Sequence, residues 1–124
     1  MPSDLQPLPD LVYKICSTAA WAGALTAGVY TGSADDQRDG FIHFSLAHQL
    51  PSTLAKHFSG HAGLMLLAVR AADLGDALRF EPSRGGELFP HLYGPLSVTA
   101  VQWQAPLTLG ADGVHILPIG TPTP

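Results

Sequence analysis

The sequence predicts an α+β fold, and the distribution of helix and strand signals along the chain is the main reason. Four to six strand-like segments accompany only two helix-like ones, whereas a doubly wound parallel sheet needs more helices. The helical signals come early and most strand signals come late, which favours a compact domain with a mostly antiparallel sheet and two main helices. With 124 residues, 46% of them hydrophobic, the chain has the length and composition for one such core.

Proline-rich sequence marks both ends of the chain. We therefore expect a flexible N-terminal tail over residues 1–10, a single domain over residues 11–119 and a flexible C-terminal tail over residues 120–124.

The first third of the chain predicts a strand followed by a helix. LVYKIC is rich in apolar and β-favouring residues and predicts the first strand. STAAWAGALTAG predicts a short helix, with Ser17 or Thr18 as its N-cap and Gly28 at its left-handed C-terminus. The polar, turn-rich VYTGSADDQRDG that follows is typical of an exposed loop.

The middle of the chain predicts a strand, a helix and a second strand. FIHFS is the strand, and LAHQLPSTLAKHFSG is the helix, with Pro51 best tolerated in a first turn and Gly60 at the end. Ser45 is a candidate cap for the earlier part of this helix. GLMLLAVR is a continuous apolar run suited to the middle of a sheet.

The last third predicts short strands and loops. AADLGDALRFEP indicates a turn and then a strand over Leu78–Glu81, and SRGGEL indicates a flexible loop. FPHLYGPL lies between Pro90 and Pro95, which predicts neither a long helix nor a central strand. VTAVQWQAPL and VHILPI predict the final strands.

Charge and cysteine content restrict the class of protein. The formal net charge is −4 and the six Lys and Arg residues are scattered, so an extended nucleic-acid surface is not expected. The lone Cys16 excludes an internal disulfide and fits a reducing compartment. No secretory signal and no apolar run of membrane-spanning length is present. We expect a cytoplasmic protein with a small-molecule or nucleotide ligand; the oligomeric state stays open.

Two polar pairs interrupt the most apolar segments. His43 and Ser45 are two residues apart in a strand, so they project from one face while Ile42 and Phe44 face the other. An imidazole and a hydroxyl on one face are typical of a pocket wall, although a half-buried histidine with a structural hydrogen bond is the simpler alternative.

His91 and Tyr93 form the second pair, in a rigid segment that suits a binding site. The alternative is a loop pinned to the sheet by hydrogen bonds. Glu87 and Arg84 precede this segment, and Gln49 follows Ser45 by four residues, so all three are candidates for the same pocket; a surface ion pair is the simpler interpretation for Arg84. Tyr13 fits the core better.

A metal site has little support in the pattern of histidines. His57 and His61 have i, i+4 spacing, but Gly60 interrupts them and no HExxH glutamate is present. His43, His48 and His91 could supply three ligands, so a metal-dependent hydrolase stays an alternative, but we expect no metal.

Several segments together resemble a bacterial family known as domain of unknown function 952 (DUF952). They are VYKI with a tryptophan a few residues on, DGFIHFS followed by a glutamine, LLAV and ELFPHLYGPL, and the resemblance covers about residues 12–106. That family's fold resembles the ADP-ribosyltransferase group, a split β-sheet that holds NAD in a central cleft.

The resemblance implies roles for particular residues. His43 would anchor a ribose, Tyr93 or Tyr13 would stack near nicotinamide, and Glu87 would steady the ribosyl cation as a carboxylate does in glycoside cleavage. His91 is a further catalytic candidate without a counterpart in that pattern. The hypothesis is a nucleotide-binding cleft that serves NAD-dependent ADP-ribosyl transfer or NAD hydrolysis, with a non-catalytic small-molecule or nucleotide binding module as the alternative.

Overall fold

A computed structural model describes residues 10–118, and it consists of nine strands and three α-helices joined by short turns. In chain order these elements are β1 (Leu11–Ser17), α1 (Thr18–Ala27), β2 (Val29–Tyr30), α2 (Ala34–Asp39), β3 (Ile42–His43), α3 (Leu50–His57), β4 (Leu64–Arg70), β5 (Leu78–Pro82), β6 (Leu88–Leu92), β7 (Leu96–Ser97), β8 (Val101–Leu109) and β9 (His115–Ile116). Four 3₁₀ segments lie between them, at Ala47–Gln49, Ala71–Ala77, Arg84–Gly86 and Val98–Ala100.

The largest sheet is antiparallel, with the strand order β1-β4-β8-β9. β4 lies in its middle, as the apolar run GLMLLAVR predicts. Alternate residues of β4 enter two separate cores, with Leu67 and Val69 on one face and Leu66 and Ala68 on the other. All four side chains are fully buried, so this strand organises the hydrophobic interior on both sides of the sheet.

A second sheet has the order β3-β6-β5, and a two-stranded ladder joins β2 to β7. All strand pairs in residues 10–118 are antiparallel. Tyr13 of β1 and Ser45, just after β3, exchange two backbone hydrogen bonds of 2.8 Å, which connect the two larger sheets. The α+β class is therefore confirmed.

The prediction that FPHLYGPL cannot hold a central strand was wrong, because β6 lies between β3 and β5. The Pro90 carbonyl accepts a hydrogen bond of 2.9 Å from Phe44 N. In a strand the N–H and C=O of one residue point to the same neighbour, so the N–H that Pro90 lacks would face the chain beyond the short β3. The proline therefore interrupts no bond to β5.

The predicted ends of α1 agree with the structure, whereas α3 begins at Leu50 rather than Leu46 and ends before the predicted residue. Ser17 caps α1 by accepting from Ala20 N, and Gly28 ends it at φ 85°. α3 carries Pro51 in its first turn, where a missing N–H is tolerated. It ends at His57 with Phe58 as its C-cap, earlier than the predicted Gly60, and Ser45 caps no helix.

The prediction of an exposed loop over residues 29–40 was wrong in two places. Val29 and Tyr30 form β2, and residues 34–39 form α2. Ser33 and Asp36 make a reciprocal capping box at the start of α2, which satisfies two backbone N–H groups. Asp36 is buried, so α2 packs this side chain into the molecule rather than leaving it in water.

The predicted tails, Asp10 aside, and residue 119 lie outside the described residues. Within residues 10–118, no helix has the length and apolar character to cross a membrane.

Candidate functional site

A cleft that combines polar and aromatic side chains lies between α2, α3 and the two larger sheets. It encloses about 220 Å³. β1 forms its floor, and β3 and β6 contribute one wall. His43, Ser45 and His91 all line it, together with Lys14, Tyr13, Asp36, Asp39, Arg38, Ser33, Thr53 and the rings of Phe44, Phe58 and Phe89.

The register of β3 against β6 brings the two predicted histidines together. His43 and His91 are direct partners in this antiparallel pair. Their ring centroids lie 5.6 Å apart in an edge-to-face arrangement. The two histidines that the sequence places 48 residues apart therefore share one wall of the cleft.

Each ring nitrogen of His43 contacts a carboxylate. Nδ1 lies 2.6 Å from Asp36 Oδ1, and Nε2 lies 2.9 Å from Asp39 Oδ2. Both contacts are hydrogen bonds only when both nitrogens carry a hydrogen, which is the imidazolium form. α2 supplies both carboxylates, so this short helix fixes the orientation of the ring.

Asp36 is the most heavily bonded side chain of the cleft. Its Oδ1 accepts from His43 N as well as His43 Nδ1, and its Oδ2 accepts from Lys14 Nζ at 2.8 Å and Ser33 N at 2.9 Å. Burial acts to raise the pKa of Asp36, but the hydrogen bond from His43 and the charge of Lys14 outweigh it and hold this pKa far below its usual range. The carboxylate is therefore ionised inside the protein.

Lys14 is the cation that makes this burial possible. It is 5% exposed, although it comes from an apolar edge strand. Gly32 makes room for the pair at the entrance to α2. Its φ is +105°, and a Cβ atom there would lie 2.7 Å from Asp36 Cβ. Any larger residue at position 32 would displace the carboxylate.

Asp39 and Arg38 lie at the rim. Arg38 contacts Asp35 and Asp39 at 3.1 Å, and its side chain is 68% exposed. The hydrogen bond from Arg38 lowers the pKa of Asp39. The rim therefore carries a negative carboxylate beside His43.

His91 belongs to a second polar group behind the cleft wall. Its Nδ1 lies 2.8 Å from Glu81 Oε1, and Tyr93 donates to the same oxygen at 2.7 Å. The ring of Phe41 stacks on His91 at 4.0 Å, and the Arg79 guanidinium lies 4.9 Å from the centre of the Tyr93 ring. Tyr93 does not line the cleft, but it buttresses His91 through Glu81.

Tyr13 also lines the cleft, and its hydroxyl is a notable exception to hydrogen-bond satisfaction. The side chain is 1% exposed, and the hydroxyl has no hydrogen-bond partner within residues 10–118. Buried polar atoms nearly always have partners, so this one offers a bond to a ligand or an ordered water.

Besides Tyr93, two more of the predicted site residues lie outside the cleft. Glu87 contacts His48 Nε2 at 3.1 Å and accepts from Gln49 Nε2 at 2.8 Å. Gln49 also accepts from Leu46 N and donates to the Leu88 carbonyl, so it ties the start of α3 to β6. Neither residue is among those that line the cleft, and the Arg84 side chain lies outside the described part of the structure.

Lys14, Asp36, Asp39 and Glu81 were not among the predicted site residues, although the sequence holds a signal for two of them. A lysine in the strand LVYKIC needs a buried anion if it points inward. SADD has the serine and the acidic residue three positions later that mark a helix start. The pairing of Glu81 with His91 depends on strand register, which has no comparable signal.

Metal ligands do not converge in the described part of the chain. No group of three histidine, cysteine or acidic side chains there has the geometry to hold an ion. His48, one of the three predicted candidates, lies against Glu87 instead.

The comparisons with known proteins give one family and one set of similar solved structures. A family model described as "Protein of unknown function (DUF952)" matches residues 15–104. The crystal structure of protein CC0527 from Caulobacter crescentus has a TM-score of 0.83 and 53% identity, over 86% of this chain and 93% of that one. Its solution NMR structure has a TM-score of 0.77 and 54% identity, over 84% and 90%. None of the curated proteins matches the chain.

Proposed function

The chain belongs to the DUF952 family, and from the geometry of its cleft we propose that it binds the nicotinamide riboside end of NAD and cleaves the bond between the nicotinamide ring and the ribose. The reaction would be ADP-ribosyl transfer or NAD hydrolysis. The observation that carries the proposal is that His43, Ser45 and His91 line one cleft. His43 lies there between two carboxylates, those of Asp36 and Asp39.

The size of the cleft favours one end of the dinucleotide. Pockets for drug-sized ligands commonly hold about 300–1,000 Å³, and this cleft holds about 220 Å³. A nicotinamide ring with its ribose is the part of NAD that suits this space, while the adenosine diphosphate portion would extend past the rim.

The carboxylates that reach the cleft suit the same end. Asp35, Asp36 and Asp39 line it, and they face the cations Lys14 and Arg38 and the imidazolium form of His43. The nicotinamide ring of NAD is cationic, and so is the ribosyl centre as its bond to the ring breaks, so nearby carboxylates would stabilise both.

The chemistry would place Asp39 where the family resemblance suggested Glu87. The bond between ribosyl C1′ and the nicotinamide nitrogen breaks, its electron pair leaves with nicotinamide, and C1′ forms a new bond to an acceptor oxygen. Asp39 is the partly exposed carboxylate in contact with His43, whereas Glu87 bonds to His48 and Gln49. The likeness to the ADP-ribosyltransferase fold is part of this proposal, and two sheets meeting at a cleft support it.

A thermal-shift titration tests the binding step. A ligand at one hundred times its dissociation constant adds about 2.7 kcal/mol, which corresponds to roughly 10 °C in a domain of this size. We expect the largest shift with NAD, a clear shift with nicotinamide riboside and a smaller one with ADP-ribose, which lacks the cationic ring. If none of the three raises the melting temperature, the proposal is wrong.

Matched aspartate variants locate the binding site. Asp39→Asn removes the rim carboxylate and should abolish most of the shift with nicotinamide riboside. Asp76→Asn makes the same change at an exposed site on the 3₁₀ segment Ala71–Ala77 and should preserve it. Equal shifts in both variants would place the ligand outside the cleft.

A non-catalytic binding module is the second candidate, and the position of Glu87 favours it. The glutamate that the resemblance assigns to catalysis does not line the cleft. Unchanged ligand affinity in Glu87→Ala, with no release of nicotinamide by either form, would favour a binder. Release of nicotinamide by the wild type would favour the enzyme.

A further inference from the structure

The pairing of β5 with β6 sets Glu81 beside His91. Arg79 lies opposite His91 and Glu81 lies opposite Phe89, so Glu81 and His91 are diagonal neighbours on one face of the sheet. Tyr93 follows His91 by two residues and points to that same face. His91 of β6 and Tyr93, just after β6, therefore both contact one carboxylate oxygen of β5, Glu81 Oε1.

Glu81 is the acceptor in both contacts. The hydrogen bond from Tyr93, followed by that from His91, lowers the pKa of Glu81. An ionised carboxylate has no hydrogen to donate, so the hydrogen in the 2.8 Å contact belongs to His91 Nδ1. In the neutral form of this imidazole, Nε2 then carries the lone pair.

The groups around His91 cover its ring face and its Nδ1, so Nε2 is the ring nitrogen that can contact a ligand in the cleft. The side chain is 6% exposed, Phe41 stacks on its ring, and Glu81, which does not line the cleft, occupies Nδ1. Nε2 has no hydrogen-bond partner in residues 10–118, and His91 lines the cleft.

His43 differs from its neighbour in this respect. Both of its nitrogens contact carboxylates, so neither has a lone pair available to a ligand. His43 is suited to hold charge and position, whereas His91 is suited to accept a hydrogen.

We infer that His91 Nε2 is the proton acceptor of the cleft and that Glu81, supported by Tyr93, is the positioning residue that fixes its tautomer. The inference rests on the proposed function for its substrate: the O–H of water or of an acceptor hydroxyl gives its proton to Nε2 while its oxygen bonds to ribosyl C1′. Nicotinamide leaves with the electron pair of the broken bond, and the proton on Nε2 then passes to solvent.

Nitrogen NMR on the whole chain, labelled with ¹⁵N-histidine, tests the tautomer without any need for turnover. In the neutral form of His91, we expect a pyrrole-type shift at Nδ1 and a pyridine-type shift at Nε2. Glu81→Gln weakens the acceptor and should produce a mixture of the two tautomers. Glu87→Gln is the matched control, because that glutamate contacts His48, and it should leave the His91 signals unchanged.

The outcomes separate this inference from the proposed function. A neutral His91 with its hydrogen on Nε2, or a tautomer that Glu81→Gln does not alter, would overturn the inference even if NAD binds. If the tautomers are as expected but no ligand raises the melting temperature, the pairing of Glu81 with His91 is supported and the proposed function is overturned.

If the wild type releases nicotinamide, kinetics give a second readout. His91→Gln should lower kcat by about 10²–10⁴-fold, the usual contribution of a general base, with little change in KM. Glu81→Gln should lower kcat less and move the pH dependence of kcat/KM. An unchanged kcat in His91→Gln would assign proton transfer to another group.

Discussion

Lys14 is a charged residue in a strand that is otherwise apolar, and its role is to neutralise Asp36. The two side chains are 7% and 2% exposed and lie 2.8 Å apart. Removing one partner of such a pair leaves a buried charge without compensation, which typically costs about 3–5 kcal/mol.

Lys14→Met should therefore lower the free energy of unfolding by about 3–5 kcal/mol, measured by urea denaturation. Lys56→Met, on the exposed face of α3, is the control and should change it by less than about 0.5 kcal/mol. The double variant Lys14→Met/Asp36→Asn should recover part of the loss. A loss in Lys14→Met no larger than in the control would show that the pair contributes little.

The partner of Lys14, Asp36, determines how the free energy of unfolding depends on pH. The pKa of Asp36 is depressed in the folded state, so its contribution is present above the unfolded value of about 3.9 and is lost as the pH falls below it. Between pH 6 and pH 3, wild-type unfolding free energy should fall more steeply than that of Lys14→Met/Asp36→Asn. The limiting slope for one such group is about 1.4 kcal/mol per pH unit, and parallel curves would contradict the assignment.

Cys16 provides a test of the core that does not involve the cleft. Burial raises the pKa of its thiol to about 11, despite the opposing charge of Lys14. The thiolate fraction at pH 8 is therefore roughly one in a thousand, and the side chain is buried. Ellman's reagent should label the native chain at the rate of unfolding and label the chain in denaturant at once; rapid native labelling would mean an accessible thiol.

At the scale of the element, α2 connects the local sequence to the cleft. It is only six residues long, yet it carries Asp36 and Asp39, the two carboxylates that hold His43. Its order depends on the capping box of Ser33 and on the left-handed Gly40 at its end. A small change in the cap should therefore affect the site.

Ser33→Ala and Ser17→Ala are matched tests of this connection, because each removes the N-cap of one helix. Loss of a serine cap typically costs about 1 kcal/mol. Both variants should lose stability of that order, but only Ser33→Ala should weaken the binding of nicotinamide riboside, because α1 does not line the cleft. Equal weakening in both variants would point to a general loss of stability.

At the scale of the whole molecule, the two larger sheets differ in how they are held. β4 is buried on both faces, whereas β3 is two residues long and rests on one wall of the cleft. Segments with few buried contacts open at lower free energy. In native-state hydrogen exchange the amides of Leu66 and Leu67 should exchange slowest, and those of β3 at least about tenfold faster. Uniform protection across both sheets would show that they open as one unit.

Much of this architecture is readable from the sequence because local signals and burial agree. The apolar run of β4, the capped α1 and the pocket face of His43 and Ser45 all follow from periodicity and turn chemistry. The position of Pro90 in a central strand does not, since it depends on where the neighbouring β3 ends.

Only some of the residues that form the cleft could be predicted from the sequence, for a similar reason. Same-face spacing within one strand identified His43 with Ser45 and His91 with Tyr93. The partners Asp36, Lys14 and Glu81 come from other elements, and long-range pairing decides which carboxylate meets which histidine. Of the two glutamates in the chain, the family resemblance and a position just ahead of FPHLYG favoured Glu87, whereas strand register brought Glu81 to His91.

The capping box of α2 has a consequence for how the protein can fail. Ser33 and His43 both bond to Asp36, and Asp36 also neutralises Lys14 of the first strand, so the shape of the cleft and the balance of buried charge depend on the same carboxylate. A folded molecule in which Asp36 had left the cleft would bury the charge of Lys14 without a partner. Protonation of Asp36 in acid should therefore remove its ion pair with Lys14 and release the His43 ring together.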